Sequence, residues 1–307
     1  MRSTLSLQLA VVRYVLISAL FAVSLEAGDI YVSGDGDDSA SGGLESPFAS
    51  ISRAAEEAQP GDTVWIGPGV YRETVRPARS GTAEARIVFR SLNSEVPPAI
   101  INGTEVINGP WTREGSSQVY STPWIGSLES VTDQSDQIFV DGEMFDLLRW
   151  PKETNNDLTL PNNTTISSVD AYTFGIRGGP MTITANSFDQ PNGRWEGAKA
   201  WVNISPPDKA DGQGMTGDVL STDGSSRQIV WEGINDTSKT GLGHNFGVFA
   251  GNEFYLFDPT PEGVEATGGP SAAMGDREWW INRETNRLYV RFPSGSDPEA
   301  HTVEAKQ

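Results

Sequence analysis

Thr63-Val64-Trp65-Ile66 is an apolar strand pattern only four residues long, and it ends at once in the corner Gly67-Pro68-Gly69. The same grammar recurs: Val70-Tyr71 and Thr74-Val75, then Ile87-Val88-Phe89 after Pro77 to Gly81, then Ile100-Ile101-Asn102-Gly103 after Pro97-Pro98. Short strands alternate with residues that pre-set turns. The step from Val64 to Ile87 is 23 residues, close to one circuit of a coil whose strands stack on the equivalent strands of the next coil, which is a solenoid period. A meander in a sandwich or barrel fits the same spacing.

Ahead of these strands, Ile51, Ala54, Ala55 and Ala58 fall at i, i+3, i+4 and i+7, one apolar stripe of a short helix. Ser46-Pro47 supplies a start signal, with Ser as N-cap and Pro at the first helical position, and Pro60-Gly61 supplies the stop. Arg53, Glu56, Glu57 and Gln59 take the wet side, so the Ala-rich face needs an apolar surface beneath it.

Composition narrows the partners. The chain of 307 residues carries 22 Lys+Arg against 41 Asp+Glu, a formal net charge of -19. Acid spread along the chain repels phosphate backbones and anionic lipid, which excludes nucleic acid and leaves neutral sugars, cations and basic surfaces. With no Cys there are no disulfides, thiol nucleophiles or Cys-ligated metals. The two histidines, His244 and His301, argue against a multi-histidine metal site or a serine-hydrolase triad. The 33 Gly and 19 Pro make up about 17% of the chain, above the average of about 12%, and imply many turns.

Arg2 and Arg13 precede an apolar run from Tyr14 to Leu25, the length of a signal-peptide core. Residues 1–27 are therefore expected to be a leader, cut after Ser24 or after Ala27, with an uncleaved anchor as the alternative. The expected location is secreted or periplasmic, with no membrane partner once the leader is gone, and a monomer is expected.

Several segments together resemble the opening of right-handed parallel β-helix carbohydrate-active proteins, among them polysaccharide lyases and β-xylosidase-type glycoside hydrolases. They are Tyr31 to Asp38, Gly42 to Pro47, Phe48-Ala49-Ser50-Ile51, Pro60-Gly61-Asp62-Thr63-Val64 and Gly69-Val70-Tyr71-Arg72-Glu73. The resemblance covers about residues 29–105 and implies that the Ala-rich helix plugs the open end of the coil stack. It speaks to fold more than to reaction.

From about Val131 the pattern changes to alternating strands. Gln137 to Val140 meets Glu143-Met144-Phe145 across Asp141-Gly142, a dipeptide suited to a two-residue hairpin. Further strands are expected at Met181 to Ala185, Ala200 to Ile204, Gln228 to Trp231, Glu253 to Phe257, Trp279 to Asn282 and Leu288 to Phe292. The fold class expected is all-β: residues 28–130 as the capped start of a parallel β-helix, 131–296 as a β-sandwich-like domain, and 297–307 as a strand returning to the helix. Ile138 to Gly142 with Arg149-Trp150-Pro151, and Arg287 to Val290 leading to His301 to Glu304, resemble the β-sandwich insertion of such enzymes. The resemblance also implies further coils beyond Gln307 that carry the active site, so this sequence is expected to be an incomplete copy of a longer protein.

Candidate chemistry is sparse. Asp35-Gly36-Asp37-Asp38-Ser39 starts like a calcium loop, but Ala40 and Ser46 stand where that register needs Gly and Glu, so a solvated turn is expected. Asp133 and Asp136 add nothing to it. Asp276 and Glu278 beside Trp279-Trp280 could be a carboxylate pair for glycoside hydrolysis, though strand alternation favours an ordinary half-buried strand. Arg149-Trp150-Pro151-Lys152 offers the residue types of a lyase base, with a core Trp150 and a rim Arg149 as the plainer reading. Most of the nine Trp are expected in the core. The sequons at Asn102, Asn162, Asn163, Asn203 and Asn235 set no site.

No catalytic, substrate-binding or metal residue is assigned. No cofactor is expected, calcium entering only with a full-length lyase. The function expected is glycosidic-bond cleavage, by hydrolysis or β-elimination, in the full-length form, with polysaccharide or oligosaccharide as partner and this chain inactive. The alternative is a non-catalytic carbohydrate-binding or surface structural protein.

Overall fold

The computed structural model describes residues 27–92, 98–125, 137–152, 164–169, 180–203, 214–233 and 251–306. Residues 1–26 of the segment expected to be a leader, the residues Asp133, Asp136, Asn162, Asn163, Asn235 and His244, and the end of the strand expected at Ala200 to Ile204 lie outside them. The chain divides into two compact units, residues 1–104 and 105–307. Within the described residues it is mostly β, and no helix is long and apolar enough to cross a membrane.

In the first unit, Asp29–Val32, Thr63–Ile66 and Val88–Ser91 pair in parallel and in register, with Tyr31, Trp65 and Arg90 in one row and Ile30, Val64 and Phe89 in the next. Gly69–Arg72 and Ala99–Asn102 form a second parallel pair. Alternation turns Val64 and Ile66 inward to a core with Val32, Phe48 and Tyr71. The guanidinium of Arg90 lies 4.7 Å over the ring of Trp65, whose Nε1 donates to Asp29 at 2.8 Å.

The helix is Ile51–Glu57 and begins later than the Ser46-Pro47 signal suggests. Phe48 is extended instead: it bridges Val32, donating to Tyr31 O and accepting from Ser33 N. Ser50 is the cap, its side chain accepting from Arg53 N at 3.1 Å. The next two free N–H groups, of Ile51 and Ser52, donate to the two carboxylate oxygens of Glu73 at 2.8 and 2.7 Å. Asp38 accepts from the N–H groups of Ala49 and Ser50 at 2.9 and 2.8 Å, so this acid of the Asp35–Ser39 loop organises the helix entry. The stripe itself is as expected, with Ile51, Ala54, Ala55 and Ala58 fully buried.

The second unit contains two eight-stranded sheets. The first runs Thr104–Val106, Val303–Lys306, Ile138–Val140, Glu143–Leu147, Glu278–Asn282, Arg287–Arg291, Val119–Pro123, Thr112–Arg113. Its Asp141-Gly142 turn has φ of 51° and 79°, the left-handed pair that a two-residue hairpin needs. Val303–Lys306, expected to return to the coils, is an antiparallel strand of this sheet, beside Ile138–Val140. The second sheet runs Arg149–Trp150, Glu253–Phe257, Lys199–Asn203, Gly214–Asp223, Gln228–Gly233, Pro180–Thr184, Ser168–Val169, with Thr164–Thr165 also on Glu253–Phe257.

The sheets do not share one core as the layers of a sandwich would. Trp150, Phe188, Trp195, Trp231 and Phe254 belong to a cluster drawn wholly from the second sheet and its loops, whereas Trp279, Ile281, Phe145 and Phe292 belong to another drawn from the first. A third cluster, built on Trp280, Leu148, Val264 and Met274, lies where the chain passes from one sheet to the other. Two short helices that hydrophobic periodicity does not reveal, Pro261–Glu265 and Pro270–Ala273, contribute to it. Each starts with Pro at its first turn, and Thr260 caps the first by accepting from Gly263 N at 3.2 Å.

Candidate functional site: the buried cluster at Glu278

The strand Glu278–Asn282 pairs in parallel with Glu143–Leu147, and Glu143–Leu147 leads within two residues into Arg149–Trp150 of the other sheet. The alternation expected of a half-buried strand fails here because both faces are covered. Trp279 and Ile281 enter the core of the first sheet, while Trp280 enters the junction cluster and donates its indole N–H to Pro259 O at 2.9 Å. Glu278, on the Trp280 side, is only 3% exposed.

Three charged side chains from distant parts of the chain meet there. Lys152 Nζ stands 3.8 Å from Glu278 Oε2 and donates to Ala273 O at 3.2 Å. Arg194 donates from its NH2 to the same carbonyl at 3.4 Å. Gly275 N–H donates to Glu278 Oε2. A Cβ on Gly275 would lie 3.1 Å from Lys152 Nζ and 3.2 Å from Glu278 Oε2, so the absence of a side chain is what lets the pair close over this turn. Among the described residues, Glu278 Oε1 and Arg194 Nε find no partner of hydrogen-bonding geometry.

Burial dominates the electrostatics. It pushes the Glu278 carboxyl up to about 7, against the opposing pull of Lys152 and the Gly275 N–H, with Asp146 on the paired strand adding to the rise. Burial also lowers the Arg194 guanidinium from its ordinary value, and Glu278 partly restores it. At the far end of the strand, burial raises Asp258 although Arg283 opposes it.

The sequence-derived candidates separate under this geometry. Glu278 and Lys152 come together; Asp276 does not join them and pairs with Arg291 at 3.1 Å on the surface. A polymer has no access to a carboxylate 3% exposed, so Asp276 and Glu278 do not form a hydrolytic pair here. Trp150 is core, as the plainer reading has it, and Arg149 lies 4.2 Å over the ring of Tyr255, itself stacked on Trp201 at 5.4 Å. Six of the nine Trp are buried. Asp37 is pulled below the usual carboxylate range by the N–H and hydroxyl of Ser39, an Asx turn, and no group of three or more metal-ligating side chains occurs among the described residues. His301 Nδ1 sits 2.6 Å from Asp141 Oδ2. Arg194 was invisible as a site residue in the sequence, because nothing near it in the chain marks it for burial.

No protein-family model matches the chain. It is 40% identical over 95 residues to the pectate lyase PEL9 of Emericella nidulans, a match spanning 30% of this chain and 22% of that protein. It is 38% identical over 86 residues to the uncharacterized protein YwoF of Bacillus subtilis, spanning 28% of this chain and 18% of that one. A solved glycoside hydrolase superposes on 91% of this chain with a TM-score of 0.58 at 18% identity, which is a likeness of fold. The chain covers 46% of that structure, so it spans less than half the length of the proteins it matches.

Proposed function

We propose that this chain is the N-terminal part of an exported polysaccharide-processing protein of the right-handed parallel β-helix type. In this reading the first unit is the capped start of the coil stack, and the second is a domain inserted before further coils. The observation that carries it is the in-register parallel stacking of Asp29–Val32, Thr63–Ile66 and Val88–Ser91 beside that of Gly69–Arg72 and Ala99–Asn102, plugged by Ile51–Glu57. The likeness to a pectate lyase supports a polysaccharide as substrate.

Further coils would stack on Val88–Ser91 and Ala99–Asn102, each the last strand of its described sheet. Ile101 and Leu92, 53% and 46% exposed, fit a surface awaiting another layer. Glycosidic-bond cleavage, by hydrolysis or β-elimination, would then belong to groups on those coils, and calcium would enter only with elimination. The purified 307-residue chain should release neither reducing ends nor unsaturated uronate from pectate or xylan; turnover of either polymer by this chain alone would overturn that assignment. N-terminal sequencing of protein recovered outside the cytoplasm should begin after Ser24 or Ala27, and an intact residue 1 would count against export with cleavage.

A second reading is a non-catalytic carbohydrate-binding module. It is favoured by the half-buried aromatic pair Tyr255 and Trp201 on the face of the second sheet opposite its core, with the buried Arg149 guanidinium packed over Tyr255. Glycan binding lost in Trp201→Ala would support it.

A further inference from the structure

Lys152 comes from the segment after Arg149–Trp150, Arg194 from the loop before Lys199–Asn203, and Glu278 from the first residue of its strand. All three close on one turn, residues 273–275, with two donors on Ala273 O and the Gly275 N–H on the carboxylate. We propose that Glu278, Lys152 and Arg194 form a protonation-controlled joint between the two sheets of the second unit, closed while Glu278 is neutral and loosened once it ionises. This goes beyond the carbohydrate reading and does not depend on it.

An ionised carboxylate at this depth is met by two backbone N–H groups, of Gly275 and Arg149, and its Oε1 has no partner of hydrogen-bonding geometry among the described residues. Its nearer cation, Lys152, stands at 3.8 Å, beyond hydrogen-bonding distance, and keeps a side chain 44% exposed to water. The charged groups facing Glu278 are Lys152, Arg194 and Asp146, together with the Arg149 N–H, whereas Asp276 and Arg277 beside it are paired elsewhere with Arg291 and Glu143. Attraction from the cations thus falls short of the hydration that the carboxylate loses. Opening the joint returns water to Glu278, so ionisation favours opening, in line with the raised carboxyl described above.

The sign follows. Because the folded state holds its proton more tightly than the unfolded chain, stability contributed by neutral Glu278 is complete below the ordinary glutamate range. It is lost as pH rises through about 7.

Amide hydrogen exchange, corrected for the intrinsic pH dependence of exchange, tests this on the whole chain. Protection of Gly275 and Leu148 should fall at least about tenfold between pH 5.5 and 8.5, while Ile229 and Ile183 in the centre of the second sheet stay unchanged. Glu278→Gln should keep the joint closed at both pH values. Protection that ignores pH, or that changes equally in Glu278→Gln, overturns the proposal. Should that variant fail to fold, carboxyl carbon NMR of Lys152→Met decides: the Glu278 midpoint should move upward relative to the unaltered chain, and an unmoved midpoint refutes the joint.

Discussion

Arg283 holds Asp258 with both terminal nitrogens, NH1 to Oδ1 at 3.0 Å and NH2 to Oδ2 at 2.7 Å. This fork sits one residue past the end of Glu278–Asn282 and one residue past the end of Glu253–Phe257. The strand is therefore pinned to the second sheet at both ends, by Asp258 and by the Lys152 cluster, with Trp280 between them.

Arg283→Met should expose how much the fork matters. Asp258 is 6% exposed, and without its partner an ionised carboxylate remains buried, at a cost of about 2–3 kcal/mol, discounted for the partial exposure of Arg283. Burial already raises Asp258, so the cost of holding it ionised is felt increasingly as pH rises through its folded value. The loss of Tm should be larger at pH 8 than at pH 4, which thermal unfolding at the two pH values checks. An equal loss at both would show that the fork acts by packing alone.

Glu73→Ala removes the acceptor of two helix N–H groups, and Ser50→Ala removes a third. Each should destabilise the first unit by about 1–2 kcal/mol, measured by urea unfolding followed through Trp65 fluorescence. The double variant should lose less than the two single losses combined if fraying of the first turn in one variant already frees the groups bonded in the other.

Gly42 has φ of +76°, and a Cβ there would lie 2.4 Å from the Phe48 ring. Gly42→Ala should dislodge Phe48 from the core it shares with Val32 and Ile51, lowering stability by roughly 2–4 kcal/mol. Gly34→Ala, with open space around it, should be nearly neutral by the same unfolding assay.

Asp141 is held below the usual carboxylate range, first by the His301 ring and then by the Thr302 N–H. The stability it contributes is present above the ordinary aspartate range and is lost as pH falls through the depressed value. His301→Phe should move the Asp141 midpoint upward in a carboxyl NMR titration. A midpoint that stays put would assign the depression to Thr302 alone.

Local signals were readable where they faced no competitor. The Ile51, Ala54, Ala55, Ala58 stripe and the Asp141-Gly142 turn need only their own neighbours to be correct. The helix start was not, since Ser46-Pro47 and Ser50 are both plausible caps, and the choice is made by Glu73, more than twenty residues on. Gly214–Asp223 is not legible as a strand because its Gly, Asp, Ser and Thr residues look like loop; pairing on both sides makes it one. Glu278 reads as half-exposed in the sequence because period-two alternation counts one buried face, and here a second cluster covers the other. Its meeting with Lys152 joins positions far apart in the chain, which spacing alone cannot reveal.

The chain passes from Glu143–Leu147 through Leu148 into Arg149–Trp150 without a break. A single continuous run of backbone serves as a rib of both sheets, so neither can be lifted out by cutting at a linker. Any recombination that transplants the second unit must carry both halves as one cassette, and a breakpoint between them should leave two insoluble remnants.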